Sequence, residues 1–287
     1  MTQRRVHKTI IGQATMDGAG VKLVRVLGNN TIHDFDPFLM LDAFDSTDPA
    51  DYVRGFPWHP HRGIETITYL VEGIIEHGDS LGNKGTIRSG ECQWMTAGSG
   101  IIHQEMPRES PRLLGLQFWL NLPKEQKMAP PKYHDATVDK VPVITGEGST
   151  VRIIAGEYNG KPGALTAEHI KATFLDVELA PNAVWNFQAD PEATIYLYIM
   201  DGDGHFDNEF GSIVKKQAVL MGPGDSIEVK GGSNGVRFVV CQARPLHEPV
   251  VWGGPIVMNT REELDQAFEE LDNGTFIKHE RNDSFTH

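Results

Sequence analysis

Short apolar runs recur along nearly the whole chain, each closed by turn-forming residues, and this repetition restricts the fold more than any other feature. VKLVRVLG (21–28) alternates and is broken by GNN; PFLMLDAF (37–44) is a compact apolar run. ETITYLVEG (65–73) is β-branched and ends at Gly73, and residues 74–91 read as a hairpin with Gly-Asn at its turn. CQWMTAG (92–98) is a short strand, and LLGLQFWLNLP (113–123) carries Leu114, Leu116, Phe118 and Leu120 in alternation. Alternation of this kind marks half-buried strands, because successive side chains point to opposite faces of a sheet. The pattern resumes at 149–160 and continues through 172–183, 193–204, 218–232 and 236–246. Thirty glycines and 17 prolines supply the turns. The expected fold class is all-β.

With 287 residues the chain can bury one large core or two ordinary ones. The stretch PKEQKMAPPKYHD (123–135) has no apolar periodicity and reads as a linker. It divides the chain into 1–135 and 136–287. RSGECQWMTAG in the first part and GPGDSIEVKGG in the second are alike in kind, which points to a duplicated β-barrel. TREELDQAFEELDNGTF (260–276) is the clearest helix. Thr260 and Glu263 are spaced as a capping box, Leu264, Phe268 and Leu271 form its apolar stripe, and Gly274 lies just past its end.

Charge narrows the function. Aspartate and glutamate number 39 against 26 lysines and arginines, a net charge of -13. Such a chain is repelled by phosphate backbones, so direct nucleic-acid binding is not expected. The two cysteines, Cys92 and Cys241, lie in apolar segments and read as buried free thiols. The N-terminal segment lacks an apolar core and cleavage site of the secretory kind, and no apolar run reaches the roughly 20 residues of a membrane helix. A cytoplasmic monomer without membrane contact is expected.

PWHPHRGIETITYLVEG (57–73) carries the chemistry. In a strand, His59 and His61 point the same way, and Glu65 joins them only if Gly63 does not break the strand. TAGSGIIHQEMP (96–107) repeats the device with His103 and Glu105. Adjacent strands of one barrel would converge three imidazoles and a carboxylate on one point. Nitrogen and oxygen donors without thiolate suit iron, manganese, nickel, copper, cobalt or zinc, with positions left open for a substrate or dioxygen. Glu65 reads as a further ligand, as an acceptor that orients an imidazole, or as a plain strand charge. Metal should be lost as pH falls through the ordinary histidine range near ~6.5. His7, His33, His77, His134, His169, His205, His279 and His287 read as isolated and solvated. His247 and Glu248, in RPLHEPVVWGGP, read as structural. Trp58, Trp94, Met106, Phe118 and Trp119 read as core, some of them lining an apolar pocket over the metal.

GFPWHPHRGIETITYLVEG, GECQWMTAGSGIIHQEMP, DPFLMLDAF and EPVVWGGPIVMNT, in that order, resemble the signatures of the pirin family of the cupin superfamily. The resemblance covers nearly the whole chain. It implies a bicupin: two barrels facing one another, 1–135 holding one mononuclear metal and 136–287 without ligands but ending in the helix. It implies His59, His61, His103 and Glu105 as ligands, favours Glu105 over Glu65, and makes Fe(II) the expected metal. Two activities follow from it. One is a quercetin 2,3-dioxygenase-type oxidoreductase, in which a planar flavonol and dioxygen are the substrates and Glu105 takes the flavonol proton. The other is an iron-dependent, redox-sensing binding protein that regulates a protein partner, as the eukaryotic pirin acts in transcription. One scaffold hosts both, so resemblance alone does not choose between them.

Overall fold

The computed structural model describes residues 2–207 and 209–279. Nearly every alternating segment of the sequence forms a strand, and the chain divides into two compact β-rich units. The division is not linear. One unit joins 14–29, 38–138 and the chain from Leu246 onward; the other joins the residues up to Gln13, 30–37 and 139–245. A single boundary after residue 135 therefore assigns both terminal segments to the opposite half. The physical reason is strand pairing at one end and core packing at the other. Val6–Ile11 pairs antiparallel with Gln217–Met221, while the C-terminal helix packs in the unit built from 38–138.

The unit containing 38–138 has two sheets. The larger runs, in spatial order, Lys132–Ala136, Cys92–Thr96, Ile64–Glu72, Leu113–Asn121, Phe38–Ser46, Val21–Leu27 and Gln13–Asp17. The smaller runs Phe56–His61, Ile101–Pro107, Ile74–Asp79 and Lys84–Arg88. Val21, Leu23, Phe44, Tyr52, Leu70, Ile75, Ile87 and Leu113 fill one region of its interior. The segment read as a linker is part of this body. Lys132–Ala136 completes the larger sheet against Cys92–Thr96. Before it, Lys127 is buried, and its ammonium donates to the carbonyls of Gly63 and Val257 and to Oδ1 of Asn121. Burial pulls that ammonium down to about 7.

The helix is Arg261–Asp272, and both halves of its capping box form: Glu263 N–H donates to Oγ1 of Thr260, and Thr260 N–H donates to the Glu263 carboxylate. Leu264 and Ala267 are its buried residues, packed with Ile256, Met258 and Phe276. Phe268 is 38% exposed, so the small Ala267 takes the inward position expected of it. No helix among the described residues is long and apolar enough to cross a membrane.

The other unit is built on a nine-stranded sheet whose longest member is Ser226–Ala243. Its interior is largely aliphatic, with a cluster of rings set in it. Trp185 and Phe187 stack at 5.7 Å, Trp185 donates its indole N–H to the Tyr158 hydroxyl, and Phe206 and Phe238 meet edge-on. Both cysteines are buried free thiols, one in each unit, and burial pushes their ionisation far up.

Candidate metal centre

Phe56–His61 and Ile101–Pro107 are antiparallel neighbours with His59 opposite His103 and His61 opposite Ile101. Period two then directs His59, His61 and His103 to one side of the smaller sheet. Their ring centroids lie 4.8, 4.4 and 5.1 Å apart, and one nitrogen from each lies within 4.8 Å of the others.

The backbone fixes the tautomers of two rings. His59 Nδ1 is 2.9 Å from the Pro57 carbonyl oxygen, and His61 Nδ1 is 3.1 Å from that of Pro255. A carbonyl only accepts, so both Nδ1 atoms carry the proton and both Nε2 atoms present lone pairs. His103 is buried with neither ring nitrogen hydrogen-bonded among the described residues. Burial, reinforced by the neighbouring His59, holds His61 down to about 3. His103 is held well below the usual histidine range by burial and then by His61, His59 and His77. Three converging imidazoles, two of them buried and held neutral and one of those without a partner, fit a divalent cation. Protonated rings would repel one another there, and buried polar nitrogens otherwise cost free energy.

Glu105 stands beside this group. A shift of register separates it from His103, and it falls opposite Phe56 on one side and His77 on the other. Its Oε2 is 4.0 Å from His103 Nε2, and its Oε1 accepts a hydrogen bond of 2.9 Å from the Thr68 hydroxyl. The three-imidazole group closes without it. Glu65 is elsewhere. Gly63 adopts φ +76, and a Cβ there would strike the Val257 carbonyl oxygen. The chain turns at this glycine, so Glu65 lies in the next strand, in the larger sheet, and accepts from Thr96 Oγ1 at 2.8 Å. The strand is broken between His61 and Glu65, and the two histidines and Glu65 do not share a face.

Sequence reasoning passed over a row of polar side chains on the larger sheet. Arg25 is paired with Asp42, Asp42 with Gln117, Gln117 with Thr68, Thr68 with Gln93, and Gln93 with Asp135, each directly across from the next. Directly opposed residues share a face, so one polar row crosses six strands. The Arg25 guanidinium grips Asp42 through Nε at 2.9 Å and Nη2 at 2.7 Å. Thr68 Oγ1 lies 2.6 Å from the Gln117 side chain as well as against Glu105. Gln93 Nε2 is 2.9 Å from His77 Nε2 and 3.1 Å from Asp135 Oδ1. The available signal was one polar residue inside each apolar run: Arg25 in VKLVRVL, Asp42 in FLMLDAF, Thr68 in ETITYL, Gln93 in CQWM and Gln117 in LGLQFW.

Part of the row and two of the imidazoles border one cavity of about 540 Å³. His59, His61 and Glu105 line it with Met40, Phe44, Phe56, Ile75, Trp119 and Trp252, and Arg25, Asp42 and Gln117 form its polar wall. Trp119 stands edge-on to His61 at 4.9 Å and 5.7 Å from Trp252. Trp119 thus lines the pocket, as one of the aromatic residues near the site was expected to; Trp94 is core and Trp58 is 54% exposed. His77 is a correction. It is buried, stacked on Tyr133 and bonded to Gln93, not solvated. His7, His33, His205 and His247 are exposed, His134, His169 and His279 are partly so, and His287 lies outside the described residues. Glu248 accepts from the Lys124 backbone and the Asn259 side chain, a structural role.

Comparison with known proteins follows the same lines. Residues 20–120 match the pirin family model and residues 174–277 the pirin C-terminal cupin domain. A pirin-like protein of Caulobacter vibrioides is 40% identical over 96% of this chain and 100% of its own length. A Pseudomonas aeruginosa protein that carries the provisional name quercetin 2,3-dioxygenase is 39% identical, over 94% of this chain and 97% of its own. The crystal structure of a quercetin 2,3-dioxygenase from Acinetobacter baumannii superposes with TM-score 0.87 at 28% identity, covering 96% of this chain and 98% of that one.

Proposed function

The chain belongs to the pirin family, and from that premise we propose that it is a metal-dependent dioxygenase that cleaves a flavonol such as quercetin with dioxygen. One observation supports the proposal: three convergent imidazoles, two of them buried, with a carboxylate beside them, at a cavity of about 540 Å³ lined largely by apolar and aromatic side chains. The named relatives support the same reaction class.

His59, His61 and His103 would hold the metal through nitrogen, with Glu105 as the fourth ligand; Fe(II) is the proposed ion. Bound there, the metal would acidify the flavonol hydroxyl and supply the electron exchange with dioxygen. The remaining work falls to the protein. Glu105 takes the hydroxyl proton on Oε2, the oxygen nearer His103, while Thr68 keeps Oε1 hydrogen-bonded. Trp119, Trp252, Phe44 and Phe56 border the ring system and limit water. His61 is held in place by Pro255 and flanked by Trp119, so its lone pair stays aimed while substrate enters.

The test is oxygen uptake by anaerobically purified, Fe(II)-loaded protein on addition of quercetin. Uptake with carbon monoxide release, abolished in Glu105→Ala, is the expected result. No uptake with iron demonstrably bound would overturn the dioxygenase reading and favour the redox-sensing binding protein.

A further inference from the structure

We infer that Arg25 determines substrate specificity in this cavity, donating a hydrogen bond to a neutral oxygen on the part of the substrate farthest from the imidazoles. The inference rests on the reading that a flavonol occupies the cavity.

The guanidinium is fixed before any ligand arrives. Arg25 lies directly opposite Asp42 in the sheet and is gripped by it in a two-point fork, while Nη2 also reaches Asp17 Oδ2 at 2.6 Å. Those three bonds use Nε and Nη2. Nη1 has no protein acceptor among the described residues and is not sealed in the interior. A guanidinium with one nitrogen left over on a rigid mount is a recognition group, because its position costs no further ordering when the ligand binds.

Strand register places it at the far end. Along the polar row Arg25 stands three strands from Thr68, whose hydroxyl holds Glu105 beside His103, and strands are spaced by about 4.8 Å. A ligand whose hydroxyl reaches the imidazoles would therefore present its other end to Arg25. Of the polar wall, Asp42 is taken up by Arg25 and Gln117 lies against Thr68, so Arg25 Nη1 is the donor left to read the far oxygen.

Charge sets the ligand class. Arg25 carries one positive charge between two carboxylates, so the local sum is negative. A carboxylate or phosphate on the ligand would be repelled, whereas a phenolic or carbonyl oxygen accepts from Nη1 without that penalty. The favoured substrate is a neutral, planar polyphenol with an oxygen remote from the metal-directed hydroxyl.

The experiment is equilibrium binding to the Zn(II)-loaded protein, which cannot turn over, read by quenching of tryptophan fluorescence. The probes are quercetin and 3-hydroxyflavone, the same ring frame with only the metal-directed hydroxyl. Wild type should bind quercetin at least about tenfold tighter, the scale of one hydrogen bond from a charged donor. Arg25→Lys keeps a cation beside Asp42 but loses the fork, and the preference should collapse while 3-hydroxyflavone binding is unchanged. Equal affinities in wild type, needing no variant at all, would overturn the role of Arg25 and leave the flavonol reading standing. So would a preference that survives in folded Arg25→Lys. Binding of neither probe would overturn the flavonol reading, and this inference with it.

Discussion

The Nδ1 of His61 lies 3.1 Å from the carbonyl oxygen of Pro255, a residue 194 positions later in the chain. The C-terminal segment therefore sets the tautomer of an imidazole near the middle of the first half. Pro57 does the same for His59 at 2.9 Å. In metal-free protein at neutral pH, long-range proton–nitrogen NMR should find Nδ1 protonated and Nε2 bare on both rings. A bare Nδ1 on either ring would mean that its lone pair does not face the shared point.

Acid should destabilise the metal-free fold through two of these rings. The folded protein holds His61 down to about 3, and His103 also well down, both mainly by burial. An unfolded chain protonates them near the ordinary ~6.5. Between those values the unfolded state binds more protons, so stability falls as pH falls, by up to ~1.4 kcal/mol per pH unit for each ring. Urea midpoints measured from pH 7 to 4 should decline accordingly. Folded His61 and His103 resist protonation in that window, so these two should keep their hold on metal below the pH near ~6.5 expected of exposed histidines, until the fold is lost.

Thr68 holds Glu105 from the opposite sheet, with its hydroxyl 2.9 Å from Oε1. The Thr68 hydroxyl lies within hydrogen-bond reach of both Glu105 Oε1 and Gln117 Oε1, and its single proton is shared between these two acceptors. Thr68→Val removes both bonds and should weaken metal binding by roughly 10- to 100-fold, while Thr68→Ser should restore it. Isothermal titration of the two variants checks this. Equal affinities would separate Thr68 from the metal centre.

Lys127 ties three acceptors together: the Gly63 carbonyl just after the His61 strand, the Asn121 side chain, and the Val257 carbonyl of the C-terminal segment. Lys127→Met removes the shared donor of all three, the Gly63 carbonyl keeping the Leu122 N–H at 3.3 Å, and should cost roughly 3 kcal/mol of unfolding free energy, since each buried group left unpaired carries a penalty of about 1–3 kcal/mol. Chemical denaturation measures it directly.

These residues also mark where the sequence was legible. Alternating runs such as LLGLQFWLNLP are set by local periodicity, and they appear as strands within a residue or two. The His59, His61 and His103 convergence was legible because strand period two fixes the facing, leaving only the pairing to be supplied. Lys127 was not: a lysine in a proline-rich stretch looks like a solvated linker until three distant acceptors surround it. His77 failed similarly, because its burial depends on Tyr133 and Gln93, neither of them near it in sequence. The polar row needed the register of six strands, which no single run contains. The division of the chain needed the pairing of Val6–Ile11 with Gln217–Met221, a contact across more than two hundred positions.

The most direct measurement is titration of metal-free protein with Co(II) at neutral pH, following its visible absorption and the heat of binding. One equivalent should bind to wild type, and His59→Ala, His61→Ala and His103→Ala should each weaken it by more than about 100-fold without loss of fold. A full equivalent bound with unchanged affinity and spectrum by a variant lacking all three histidines would contradict the assignment of the metal centre.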